Sequence, residues 1–332
     1  MDLPTIWFLL IAVLFTGYFI LEGFDFGVGI LLPVLGRDDR ERRVLINTIG
    51  PVWDGNEVWL ITAGGAMFAA FPEWYATLFS GFYLPLLLIL LALIGRGVAF
   101  EYRHKRTDAT WKRRWDTVIF IGSLLPAFLW GVAFANITRG VPLAADHEYT
   151  GGLLDLLHPY ALLGGAVFLA VFVTHGAVFL ALKTTGDVRH RAGALAVRTG
   201  TGTGVLAVAF LAWTLRLRGD TTATVLAAAA TLALLAGLAA ARVRREGWAF
   251  AGTATAIGLT VATLFAALFP LVLPSTGDPA GALTIANASS TPYTLKIMTW
   301  VAVVATPVVL AYQGWTYWVF RKRIGVAHIP DH

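Results

Sequence analysis

Nine long apolar runs divide this 332-residue chain, and no other feature constrains its fold as tightly. They lie near 5–35, 48–71, 76–95, 117–138, 159–182, 199–215, 221–241, 247–273 and 295–320. Hydrocarbon about 30 Å thick is crossed by roughly 20 residues of helix, so each run is long enough, with 199–215 marginal. Lipid offers free backbone groups no hydrogen-bond partner, so the spans are read as helices. Composition agrees: 57% of the residues are hydrophobic and 14% charged, where a soluble domain has about 45–50% and about 25%. The expectation is one integral membrane domain over residues 1–332, an all-α polytopic helical bundle of about nine transmembrane helices.

Lysine and arginine supply the orientation. Gaps 36–47, 95–116, 183–198 and 242–246, with the tail after 320, hold 21 of the 25 basic residues. The alternate gaps hold only Arg139, Arg216, Arg218 and Lys296. Positive loops stay in the cytoplasm, which puts the N-terminus outside and the C-terminus inside. The net charge of +5 is therefore membrane topology and not a nucleic-acid footprint. The first helix does not read as a cleaved signal peptide, because Asp2 precedes it and the positive cluster follows it. Outer loops 139–158 and 274–294 are too short for a soluble domain. With no cysteine, the chain has no disulfide, iron–sulfur ligand or thiolate nucleophile.

Four of the 20 acids lie inside predicted spans: Glu22, Asp25, Asp54 and Glu57. An ionised carboxylate mid-bilayer costs at least a few kcal/mol, which makes a buried acid a functional candidate. Glu22/Asp25 and Asp54/Glu57 each have i,i+3 spacing, so each pair shares a helix face. Gly23, Gly27 and Gly29 around Asp25 allow a close backbone approach, while Pro51 distorts the entry to the second run. Asn56 adds an amide beside the acids, and Trp53 and Trp59 flank them. From spacing alone two roles stay open, proton or cation handling and polar contacts that hold the bundle in register.

Arg96 reads first as a snorkelling anchor at the cytoplasmic end of the third span, with pairing to a buried acid as the alternative. His175 is the one histidine within a span and reads as a hydrogen-bonding core residue, because a bis-histidine haem needs two facing ligands. Only three methionines occur, the initiator, Met67 and Met298, so a methionine ligand is poorly supported. No cofactor-binding residue, metal motif or phosphate loop stands out, and the chain is not expected to ligate a haem itself.

Longer strings carry a resemblance. They are Gly23-Phe24-Asp25-Phe26-Gly27-Val28-Gly29, Glu41-Arg42-Arg43, and Pro51-Val52-Trp53-Asp54-Gly55-Asn56-Glu57-Val58-Trp59 with its continuation to Ala66. Phe79-Ser80-Gly81-Phe82-Tyr83, Trp115-Asp116, Gly131 to Asn136, Gly140-Val141-Pro142 and Thr294 to Val304 continue it. Together they resemble subunit II of cytochrome bd-type quinol oxidases, over nearly the whole chain and weakest at about 185–245.

The resemblance implies a non-haem subunit in a bacterial cell membrane, paired with a haem-bearing subunit I of similar helical fold. That partner would hold two b-type haems, haem d and the quinol site. The complex oxidises quinol and reduces O2 to water, building a membrane potential without pumping protons. Some family members add a small accessory membrane subunit or hold a structural quinone in this subunit. By position, Asp25 and Asp54 match acids of a proton path toward the partner, with Asp54 foremost. Trp53 flanks that path, and Glu101 and Arg96 match positions near its cytoplasmic mouth. Glu22 stands where some members have Asp, and Glu57 where some have Gln, which leaves the route open. The competing readings are a structural scaffold for the haem subunit and a proton- or cation-coupled transporter.

Overall fold

The computed structural model describes residues 2–329. Its long helices are α1 (Leu3–Leu35), α3 (Trp53–Ala70), α5 (Tyr83–Tyr102), α6 (Ala109–Arg139), α7 (Pro159–Lys183), α8 (Gly186–Arg218), α9 (Thr221–Arg242), α10 (Glu246–Leu268) and α11 (Pro292–Val319). Two short helices, α2 (Asp39–Ile49) and α4 (Pro72–Gly81), precede α3 and α5. A small antiparallel hairpin, β1 (Leu271–Leu273) with β2 (Leu283–Thr284), follows α10.

Helix starts follow local chemistry. Asp38, Asp108, Asp220 and Thr291 each accept a hydrogen bond from a backbone N–H of the first turn, satisfying donors that a helix otherwise leaves unpaired. Pro159 and Pro292 open α7 and α11, where a missing N–H costs nothing.

Eight of these helices are long and apolar enough to cross a membrane. The ninth predicted run, 48–71, is α3, shortened because Gly50 and Pro51 break the chain after α2. Its 18 residues cover about 27 Å at 1.5 Å per residue, and Asp54 and Glu57 lower its hydropathy. It nevertheless runs the full depth of the bundle. It starts beside α2, and at its far end the Ala70 carbonyl accepts from Ser290 N at 2.8 Å, in the loop before α11. Two other predicted boundaries shift. The run 76–95 breaks at Phe82 and continues to Tyr102, while 199–215 is the inner part of a 33-residue α8 whose charged first turns extend past the apolar zone.

The basic gaps meet at one end. Arg42 pairs with Asp116 at 2.8 Å, Arg191 with Glu41 at 2.7 Å and Arg189 with Glu246 at 2.7 Å, and Thr185 N donates to the tail at Ile324 O. At the opposite end Val141 bridges to Ser275, and Trp7 Nε1 donates to Leu295 O at 3.3 Å. This gathering of every basic gap on one face is what the alternation of charge required.

Helix α1 lies inside the bundle, packed against α3, α6, α7 and α10. It meets α7 where Gly27 faces Gly176, so closely that a Cβ on Gly176 would stand 2.6 Å from Gly27 Cα. Gly131 and Gly164 make a similar crossing of α6 with α7. Small residues at such points let backbones approach and gain van der Waals contact, the main attraction between helices in lipid. By contrast α11 lies at the edge, with Leu295 its one buried residue.

Candidate functional site

The buried polar groups converge where α1, α3 and α5 meet. Glu22, Asp25, Asn56 and Arg96 are each 0% exposed. Arg96 lies well inside α5 because that helix runs on to Tyr102. It is therefore no snorkelling anchor; the pairing alternative describes it. Its Nη2 donates to Oε1 of Glu22 on α1 and, at 2.6 Å, to Oε1 of Glu57 on α3. The guanidinium carbon also lies 4.6 Å from the Phe26 ring centroid and 5.8 Å from that of Phe100, so the charge meets aromatic faces where it meets no carboxylate.

Asp25, one turn along α1 from Glu22, belongs to a second chain of contacts. Its Oδ2 accepts from Asn56 Nδ2 at 2.7 Å. Asn56 Oδ1 in turn accepts from Tyr317 OH at 2.7 Å and from Gln313 Nε2 at 3.4 Å, both on α11. Gln313 Oε1 accepts from Trp59 Nε1 at 2.8 Å. Three carboxyl groups thus share one guanidinium and one amide. Among the described residues Glu22 Oε2, Asp25 Oδ1 and Arg96 Nε and Nη1 have no hydrogen-bond partner, which leaves open hydrogen-bonding capacity inside the cluster. Native proteins leave few buried polar atoms unpaired, and those few call for an explanation.

The other residues singled out from sequence lie around this centre. Glu57 is its accessible member, with a side chain 22% exposed. Trp53 is half-buried, its ring 5.3 Å from Phe100 and close over Gly97, so it covers the turn that carries Arg96. Asp54 is exposed and accepts from Gly55 N at 2.8 Å; it has no contact with the buried acids. Glu101 is likewise exposed on the last turn of α5. Gln313 and Tyr317 went unnoticed in the sequence, although an amide within an otherwise apolar span is a readable signal.

A second charged network anchors the cytoplasmic end. Arg103 bonds Asp116 at 2.5 Å and Asp39 at 2.8 Å, and Lys112 bonds Asp39 at 2.7 Å. Burial pushes the Asp39 carboxyl up, but its hydrogen bonds from Lys112 and Arg103 and their charges outweigh this and hold it below the ordinary value. The network ties α2 to the end of α5 and the start of α6.

His175 is wholly buried with both ring nitrogens engaged, Nδ1 with Thr253 Oγ1 at 2.7 Å and Nε2 with Ile20 O at 3.2 Å, and it stacks on Phe250. It is a core residue. Among the described residues no group of three or more His, Asp or Glu side chains is arranged to hold a metal ion.

Comparison with known proteins bears on the whole chain. Residues 3–320 match the family described as cytochrome bd terminal oxidase subunit II. Cytochrome bd ubiquinol oxidase subunit 2 of Bacillus subtilis (strain 168) is 45% identical, the alignment covering 97% of each chain. Cytochrome bd-I ubiquinol oxidase subunit 2 of Escherichia coli (strain K12) is 38% identical over 96% of this chain and 94% of that one. A chain in the solved bd oxidase of Geobacillus thermodenitrificans superposes with a TM-score of 0.80 at 17% identity, over 96% of this chain and 99% of that one; this shows the shared fold. With the match running the length of the bundle, the chain belongs to the cytochrome bd terminal oxidase subunit II family.

Proposed function

We propose that this chain, as a subunit of a bd-type terminal oxidase, carries protons from the cytoplasm toward the oxygen-reducing partner subunit through its buried acids. The observation that supports this most is the join of the accessible Glu57 to the wholly buried Glu22 through one guanidinium, with Asp25 and Asn56 a turn further on. Proton transfer needs groups within about 3 Å of one another or linked through one water; Arg96 keeps its own protons and holds Glu57 and Glu22 on one nitrogen, close enough for a single water to pass a proton between the two carboxyl groups. Asp54 and Glu101, exposed at the cytoplasmic ends of α3 and α5, serve as collecting carboxylates at the mouth. Tyr317 and Gln313 extend the chain of contacts to the edge helix. In this reading quinol oxidation, O2 reduction and the haems b and d belong to subunit I.

Membership of the family displaces the coupled-transporter reading. The scaffold reading keeps one specific observation in its favour, since Arg96 clamps three helices by ion pairs that need no proton transfer to be useful. Turnover separates the two. In assembled complexes with full haem content, Asp54→Asn and Glu57→Gln are each expected to lower quinol-driven O2 consumption by about tenfold or more. A normal rate in haem-replete Asp54→Asn removes Asp54 from the path. Normal rates after neutralising Glu22, Asp25, Asp54 and Glu57 one at a time leave the scaffold reading standing.

A further inference from the structure

The crevice between α8 and the α9–α10 turn belongs to none of the chemistry above. At its cytoplasmic end is a pocket of about 460 Å³ bordered by Arg189, His190, Arg198, Arg242 and Arg244, with Glu246 its one carboxylate. Glu246 is already answered twice, by Arg189 at 2.7 Å and Arg323 at 3.7 Å. The side chains of Arg198, Arg242 and Arg244 form no ion pair or hydrogen bond among the described residues, and all three residues are exposed. The first turn of α10 opens on the same pocket with no side-chain cap on its N–H groups, adding the partial positive charge of a helix start.

Immediately deeper, the same crevice becomes apolar. A cavity of about 580 Å³ runs between α7, α8, α9 and α10, lined by Gly204, Val205, Leu235 and Val261 among others, and Arg242 borders both spaces. The cavity falls in the size range of sites that take small organic ligands. Unanswered positive charge at the membrane surface, continuous with an apolar slot reaching toward the bilayer interior, is the chemistry of an amphiphile with an anionic head. We propose that this crevice binds an anionic phospholipid, the phosphate held by Arg198, Arg242 and Arg244 and an acyl chain seated in the cavity between α8 and α9. Charge complementarity selects this occupant: an uncharged head offers the arginines no anion, and a zwitterionic head brings a cation beside its phosphate that the arginines repel, while clustered basic residues between membrane helices on the cytoplasmic side suit acidic lipid heads. The site ties α8 and α9 to the core of the bundle through a shared ligand.

The test uses the whole oxidase complex, stripped of lipid in mild detergent and titrated with phosphatidylglycerol, phosphatidylcholine or inorganic phosphate. Bound lipid is counted by native mass spectrometry, and the thermal unfolding midpoint is followed in parallel. Phosphatidylglycerol is expected to give a retained adduct and a raised midpoint; phosphatidylcholine and phosphate are not. Replacing Arg198, Arg242 and Arg244 together by glutamine should weaken phosphatidylglycerol binding by roughly a hundredfold, at about fivefold per basic residue near a membrane surface. Gly204→Leu provides an independent check. A Cβ at Gly204 meets nothing within 4 Å, so the leucine fills the slot without disturbing the backbone and should weaken the diacyl lipid while leaving every arginine in place. Equal binding of phosphatidylcholine, unchanged affinity in either variant, or a phosphate effect as large as that of the lipid overturns the proposal.

Discussion

Replacing Arg96 by methionine keeps an unbranched apolar stem against Phe26 and Phe100 and removes only the guanidinium. Glu22, 0% exposed, then loses its hydrogen bond from Arg96 and its counter-charge together. Removing one partner of a buried ion pair costs about 3–5 kcal/mol, because the other charge stays buried and uncompensated. Glu57, with a side chain 22% exposed, recovers much of its loss from solvent, so most of the cost belongs to Glu22. The expected destabilisation of Arg96→Met is therefore about 3–5 kcal/mol, and Glu22→Gln in the same chain should restore about 1–3 kcal/mol of it. Graded unfolding of the assembled complex in a denaturing detergent, run as a double-mutant cycle, measures both numbers. A cost below about 1 kcal/mol, the range of exposed pairs, or an Arg96→Met defect that Glu22→Gln leaves untouched, refutes the assignment of Arg96 as counter-charge to a buried acid.

Two further outcomes test the surrounding structure. Gly176→Ala should destabilise the complex by about 1–3 kcal/mol through overpacking, since its new methyl would meet the α1 backbone at Gly27, whereas Gly64→Ala, with nothing within 4 Å, should cost nothing; equal thermal midpoints for the two would refute the close crossing of α1 and α7. The depressed Asp39 carboxyl, ordinarily 3.8, contributes stability that is present above that value and lost as pH falls through its lower folded value. Stability measured from neutral to acid pH should then show wild type above Asp39→Asn at neutrality, with the gap closing below about pH 4; a gap that widens on acidification reverses the sign.

Much of the fold was legible because lipid makes the rules few. Apolar length marked the spans, and charge alternation gave their order and sidedness, since both follow from the cost of placing polar groups in hydrocarbon. The acids stood out for the same reason. Boundaries were less legible where a helix continues beyond the apolar zone, as α8 does through Arg189 and Arg198, or where a break such as Phe82 lies within an apolar run. That difference decided Arg96. Read at the end of a span it is an anchor, but inside a helix that reaches Tyr102 it is a buried ligand for two carboxylates.

The amino-acid sequence by itself determined that this chain crosses a membrane many times, which end faces the cytoplasm, and that Glu22, Asp25, Asp54 and Glu57 are anomalous there. Only the tertiary structure decided which of them meet. Spacing puts residues on one face of a helix, but the rotation of that helix against its neighbours sets where the face points. So Glu57 reaches Arg96 and Asn56 reaches Asp25, while Asp54, three residues from Glu57, stays exposed. The contribution of α11 through Gln313 and Tyr317 is of the same kind: more than 250 residues separate them from Asn56, and local periodicity carries no information about contacts made only when the bundle closes.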